Sequence, residues 1–316
     1  MSGFTRREVL AGAAAGALAG CSRTPRPAPL VSIVRANSYS QDLADLVRRI
    51  LVEHKVPVRG KRIVLKPNLV EFDPGTTINT HPAVVAAALE AFRSLGAAEV
   101  RIAEGPGHRR NTLELAEAAG YFQAIPRFEE LFTDLNLDDV ERVRVPGAHS
   151  LMKSVYLPRT ALAADLLVSM PKMKCHHWVG ATLSMKNLFG LVPGGVYGWP
   201  KNVLHWAGIP ECIADLHGLF PRTFAIVDGI VGMEGNGPIQ GTPKTADVLV
   251  GGADRVAVDA TCCRIMRIDP TLIPYLQLTD EGQTRAAGVH QIGEPIRAVE
   301  TAFRLIPMYG ALRLRT

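Results

Sequence analysis

The sequence holds five cysteines, and no two of them stand in a C-x-x-C pair. That absence excludes a self-ligated ferredoxin-type iron–sulfur cluster and a zinc ribbon, both of which need closely spaced thiolates. There is no long run of lysine or arginine and no interleaving of basic with aromatic residues, which make up only 6% of the chain. The net charge of +5 is therefore dispersed, and nucleic acid is not an expected partner. No apolar run approaches the roughly 20 residues of a membrane-spanning helix, and no internal repeat or low-complexity tract occurs. What remains, at 47% hydrophobic over 316 residues, is enough to bury a sizeable core.

The first residues read as an address rather than as fold. Thr5-Arg6-Arg7 precedes the short, mildly apolar run AGAAAGALAG, an order that resembles a twin-arginine (Tat) export signal. Leu18-Ala19-Gly20-Cys21 looks like a lipobox, with Cys21 as the acylated residue. The alternative is an Ala/Gly-rich start with an unmodified cysteine. The expected organisation is a signal over 1–21, a Pro-rich tether over 22–29 and a single α/β domain over 30–316. Such a protein would use the Tat machinery and be held to a membrane by its lipid, facing the periplasm or the cell exterior. A Tat-type route carries folded proteins, often around a cofactor, and so hints at a bound group without naming it. In an oxidising compartment Cys175 and Cys212 are open to disulfide pairing. Cys262 and Cys263 lie in an apolar helical pattern and read as buried thiols.

Strand and helix patterns alternate along the mature chain. LVSIVRA (30–36), RIVLKPNLV (62–70) and EVRIAEGPG (99–107) read as strands, the second cut at Pro67. Between them, 41–54 carries Leu43, Leu46, Val47 and Ile50 on one stripe. The helix over 81–96 has Pro82 in its first turn and Gly96 past its end. This alternation predicts βαβ units, hence an α/β fold with a mostly parallel sheet flanked by helices. The centre is elaborated: helices over 111–119 and 121–132, short strands, then a strand over 164–172. FAIVDGI (224–230) and ADVLVGG (246–252) read as strands, with MEGNGPIQG as a glycine-rich loop between them and Asp254 capping the helix that follows.

Ligands of open α/β sheets sit beyond the carboxyl ends of the strands, and polar residues gather there. Lys66 and Asn68 share a face of their strand, and Glu104 ends the next. If extended, Lys172, Lys174 and His176 share a face of PKMKCHH. Asp228 ends a strand, Glu234 and Asn236 follow in the loop, and Gly251-Gly252 offers an anion nest before a helix. Ala181, Met185, Leu188, Phe189 and Val192 form a helical stripe from which Lys186 and Asn187 fall away. These groups either converge on something anionic or form solvated turns and an exposed Lys-Asn pair.

Several strings together resemble the domain of unknown function 362 family: KPNLV, HPAVVAAALEAFRSLGA, MPKMKCHHWVGATLSMKNLFGLVPG, FAIVDGIVGMEGNGPIQG and GGADRVAVDA. The resemblance spans roughly residues 60–295. It implies an α/β fold, and it places Lys66, Asn68, Lys172, Lys174, His176, Lys186, Asn187, Asp228, Glu234, Asn236 and Asp259 at positions of the family's strings. Members often carry ferredoxin-type segments, which this chain lacks.

Two functional readings follow. In the first, an enzyme acts on a small carboxylate or phosphate, as an isomerase, lyase or transferase. Lys174, His176 and Lys186 are then the catalytic candidates, His176 by its pKa near neutrality and a lysine by a depressed pKa. Lys66, Asn68, Lys172, Asn187, Asp228, Glu234 and Asn236 bind the substrate or, through the carboxylates, a divalent metal. In the second, a lipoprotein binds or delivers a metal or cofactor through His176 and His205, with His177 and His217, a spacing that matches no zinc pattern. A redox accessory role for an iron–sulfur partner ranks behind both.

Overall fold

The structure is a computed structural model that describes residues 27–315. The expected export signal, the expected lipobox with Cys21, and residues 22–26 of the expected tether lie outside the described residues. Among the described residues no helix is long and apolar enough to cross a membrane.

Twelve strands carry the fold: β1 Leu30–Arg35, β2 Arg62–Pro67, β3 Glu99–Glu104, β4 Phe132–Asp134, β5 Val140–Arg144, β6 Ser154–Pro158, β7 Leu166–Met170, β8 Lys172–His176, β9 Gly180–Thr182, β10 Thr223–Asn236, β11 Gln240–Gly252 and β12 His290–Gly293. Ten form one sheet in the order β12-β1-β11-β10-β7-β2-β3-β4, with β8 on β10 and β9 on β8. Along that order only β11 runs against its neighbours. The expected mostly parallel α/β sheet is therefore present. β5 and β6 make a separate hairpin in the elaborated centre.

Side chains alternate across the sheet. Val31, Ile33, Val64, Ala225 and Val227 join one apolar cluster, and Ile63, Leu65, Phe224 and Ile226 the other. Helices Leu43–Glu53 and Pro82–Ser94 cover the second cluster, while Ile209–Leu219 and Arg255–Ile265 cover the first. Pro82 at the first helical turn and Gly96 at φ +85° bracket Pro82–Ser94, as the sequence predicts. The Asp254 carboxylate caps Arg255–Ile265 by accepting from Ala257 N at 2.9 Å. Cys175, Cys212, Cys262 and Cys263 are all buried free thiols, so the Cys175–Cys212 disulfide is not formed.

Four local expectations change. The helix over 121–132 is two short ones, Tyr121–Ala124 and Phe128–Leu131, because Pro126 interrupts the backbone hydrogen bonding. The helix after His177 is instead β9 followed by a 3₁₀ turn, Lys186–Leu191. The glycine-rich loop is the far half of a long hairpin, for β10 and β11 stay paired from Ala225–Gly252 to Asn236–Gln240. Its glycines admit close neighbours: a Cβ at Gly232 would press on Met173 O and the Phe303 ring. Finally, Gly251-Gly252 ends a strand running against the others, pairing with Ala225 and Ile226 at the start of β10. The expected anion nest therefore sits at the opposite end of the sheet from Lys66.

Candidate active site

β2 lies between β3 and β7. From β2 the chain builds outward through β3 and β4, whereas β7 leads outward to β10 on the other side. The strand order thus reverses between β2 and β7, and the crevice beyond their carboxyl ends is where such sheets bind ligands. A cavity of about 730 Å³ opens there, within the size range of small-molecule sites.

Four lysines line the cavity, Lys66, Lys174, Lys186 and Lys201, against the single carboxylate of Glu104. Lys66 ends β2 fully buried and donates to Glu104 Oε2 at 2.7 Å, Asn187 Oδ1 at 3.2 Å and Pro67 O at 3.2 Å. Burial pulls the Lys66 pKa down, while the Glu104 charge opposes that shift. Glu104 also accepts from Leu69 N at 3.2 Å and Gly105 N at 2.8 Å. Asn187 donates back to Lys66 O and to Ser169 Oγ, both at 3.0 Å, and so ties the 3₁₀ turn to β2 and β7. Gly190 is obligatory in this turn, since a Cβ there would overlap Glu104 Oε1 and Lys66 Nζ.

The other cations are less neutralised. Lys174 Nζ donates to the carbonyls of Ile78 at 2.9 Å and Pro238 at 3.3 Å. Burial, then Lys172 and Lys186, push its pKa well below the usual lysine value. Lys201 donates to Gly105 O at 2.7 Å and is held down to about 7, chiefly by burial. Lys186 Nζ lies 3.7 Å from the centroid of the Phe189 ring, a favourable place for a cation, and ion-pairs with no carboxylate among the described residues. Burial and the charge of Lys66 bring its pKa down to about 7.

Two histidines engage the backbone through Nδ1 and leave Nε2 free in opposite protonation states. His176 Nδ1 accepts from Trp178 N at 3.0 Å, so the neutral ring carries its proton on Nε2. Burial, then Lys186, His177 and Lys174, drive its pKa well below the ordinary value and keep it neutral. His177 Nδ1 lies 2.6 Å from Gly237 O; it donates there, which leaves Nε2 as an acceptor in the neutral ring. Among the described residues two buried polar atoms on the lining have no partner, Asn68 Oδ1 and Thr182 Oγ1. Unpaired buried groups are costly, and here they face a space that a ligand can fill.

Of the residues singled out by sequence, Lys66, Asn68, Lys174, His176, Lys186, Asn187, His205 and Asn236 line this cavity. Lys172 and Asp228 do not. They pair at 2.6 Å in a closed network, with Tyr39 OH donating to Asp228 Oδ1 and His81 N to Oδ2. Lys172 and Lys174 share a face of β8 as expected, since Met173 and Cys175 both pack into the first apolar cluster, but Lys172 lies opposite Asp228 of β10 and reaches that carboxylate instead of the cavity. Glu234 accepts from Arg304 N at 2.9 Å and does not line the cavity. Asp259 lies beneath the site, accepting from Ser184 N at 2.8 Å, Ser184 Oγ at 2.5 Å and Met185 N at 3.1 Å. It anchors the turn carrying Lys186 and Asn187.

Lys201 and Glu104 line the cavity although the sequence-based choice of binding residues leaves them out. Glu104 stands at a strand end, which is itself a signal; Lys201, at φ +64° in irregular chain, gives none. His217 packs against Arg255 at 3.2 Å, far from any shared ligand set with His176. Among the described residues no group of three or more His, Cys, Asp or Glu side chains is placed to hold a metal.

Fold and cavity define an α/β protein with a cation-rich crevice at a topological switch point. The chain belongs to the family described as Domain of unknown function (DUF362), whose profile matches residues 63–264. It is 29% identical over 259 residues to the thylakoid-associated protein sll1697 of Synechocystis sp., covering 78% of this chain and 77% of that one. Among solved structures it is similar to the lactate racemase apoprotein of Thermoanaerobacterium thermosaccharolyticum, at 15% identity and a TM-score of 0.46. That similarity covers 76% of this chain, which spans 57% of the other's length.

Proposed function

We propose that this protein is an enzyme that binds a small carboxylate- or phosphate-bearing molecule in the switch-point cavity and moves a proton on it, as an isomerase or lyase does. One observation carries the reading. Lys186 presents to the cavity an amine that no carboxylate among the described residues neutralises, with a pKa of about 7, near the value that suits acid–base chemistry at neutral pH.

The other lysines have structural work: Lys66 on Glu104, Lys201 on Gly105 O, Lys174 on two carbonyls. Their collective charge attracts the anion. Unprotonated Lys186 takes a proton from a carbon next to a carbonyl or carboxylate. The bonding pair moves into that group, and the charge growing on its oxygen meets the Nε2–H of His176. Returning the proton to the other face, or losing a substituent from the neighbouring carbon, completes isomerisation or elimination. The chain is proposed to work outside the cytoplasm, exported by its twin-arginine signal and held to a membrane through Cys21.

The test reads the proton transfer itself, whichever product follows from it. Carboxylates with an acidic neighbouring C–H are incubated in D₂O with the Cys21→Ser protein and followed by proton NMR. Lys186-dependent exchange of that hydrogen is the expected result; no exchange across the panel, or equal exchange by Lys186→Ala, overturns the proposal. Binding itself weakens as pH rises through about 7, because Lys186 loses its charge there.

A further inference from the structure

The cavity is graded from floor to mouth. At its floor Lys66, Lys174, Glu104 and Asn187 are all buried. Toward solvent the lining changes character: Trp178 is 55% and Met308 72% exposed, and Ile239 and Ile306 stand half-buried between mouth and floor. These apolar walls come from three separate parts of the chain, the turn after β8, the tip of the β10–β11 hairpin and the C-terminal segment. A bare anion such as phosphate would use only the floor. The volume of about 730 Å³ suits a molecule of drug-like size, and large exposed apolar side chains grouped around one opening mark a binding surface.

We infer that the ligand is an amphipathic anion: a carboxylate or phosphate head held among the buried lysines, with an aliphatic or aromatic body lying against Trp178, Ile239, Ile306 and Met308. This deepens the reading of the cavity as an anion site and rests on it. The orientation follows from the lining. A head left at the mouth would expose an apolar body to the lysines and leave the buried Thr182 hydroxyl without an acceptor.

The experiment is calorimetric titration of the Cys21→Ser protein with inorganic phosphate and with straight-chain carboxylates, butanoate through octanoate, below micelle-forming concentrations. Affinity is expected to rise with chain length, up to roughly fourfold per methylene as each is taken from water. Lys186→Gln should weaken the whole series. Trp178→Gln and Met308→Gln, both at exposed positions that tolerate polar side chains, should flatten the gain per methylene; unchanged melting temperatures show that they fold. Lys186-dependent binding that is indifferent to chain length overturns this inference and leaves the anion site standing. A gain with length that Lys186→Gln does not weaken also overturns it, since the head is then not read. Failure of phosphate and every carboxylate to bind overturns both readings.

Discussion

Lys66 and Glu104 are a fully buried ion pair, and such pairs are sensitive to loss of one partner rather than of both. Lys66→Met strands the Glu104 carboxylate, and Glu104→Gln strands the Lys66 ammonium. Either single change should lower unfolding free energy by about 3–5 kcal/mol, and the double change by less than the sum; urea unfolding of all three variants measures it. Lys186 gives a pH signature. Its folded pKa, about 7, lies below that of the unfolded chain. Across the interval from about 7 upward the unfolded state binds more protons, so the Lys186 contribution is fully present above the unfolded lysine pKa and is lost as pH falls through about 7. The stability of wild type relative to Lys186→Met should therefore rise between neutral and alkaline pH. The comparison cancels the buried tyrosines and cysteines, which titrate in both proteins. A difference independent of pH would show that Lys186 is charged throughout.

At the scale of elements, the 3₁₀ turn Lys186–Leu191 is held from below by Asp259 and from the sheet side by Asn187. Asp259→Ala removes the acceptor of three hydrogen bonds. Amide exchange should quicken over residues 183–191 while β2, β3 and β7 keep their protection, and anion binding should fall at least tenfold. Uniform loss of protection would instead mark Asp259 as a general core residue. This turn also shows where sequence reading succeeds and where it stops. The βαβ run from β1 to β3 is legible because each strand and helix there has a period and a boundary residue, such as Pro82 or Gly96. Ala181, Met185, Leu188 and Phe189 have helical spacing too, yet they fill space between sheet and helix from a strand and a 3₁₀ turn. Tertiary packing, not local propensity, decides that conformation. The gathering of Lys66, Asn68, Lys174 and His176 is foreseeable from strand ends alone. The diversion of Lys172 to Asp228 is not, because it depends on β8 pairing with β10 so that these two residues stand opposite each other, and no pattern within either strand announces that pairing.

Over the whole molecule, both ends of the described chain meet the core, but unequally. Phe303 is fully buried among core residues and abuts Gly232 of β10, and the segment after it supplies Ile306 and Met308 to the cavity. A chain beginning at residue 27 should melt with the Cys21→Ser protein, whereas one ending at residue 301 should lose several kcal/mol, about 3–5 from Phe303 alone, and the binding site with it. Equal melting of all three in calorimetry would deny the C-terminal segment that role.

The cavity draws its walls from residues as far apart in sequence as Lys66 and Met308. While the chain is being synthesised, therefore, nothing resembling this site exists on the ribosome. β2, β3 and β7 can pair as they emerge, but the pocket stays open on one side until the segment carrying Ile306 and Met308 is made. A molecule that needs all of these walls is therefore held only after that segment has docked, so its acquisition reports that β2 and the segment around Met308 have come together.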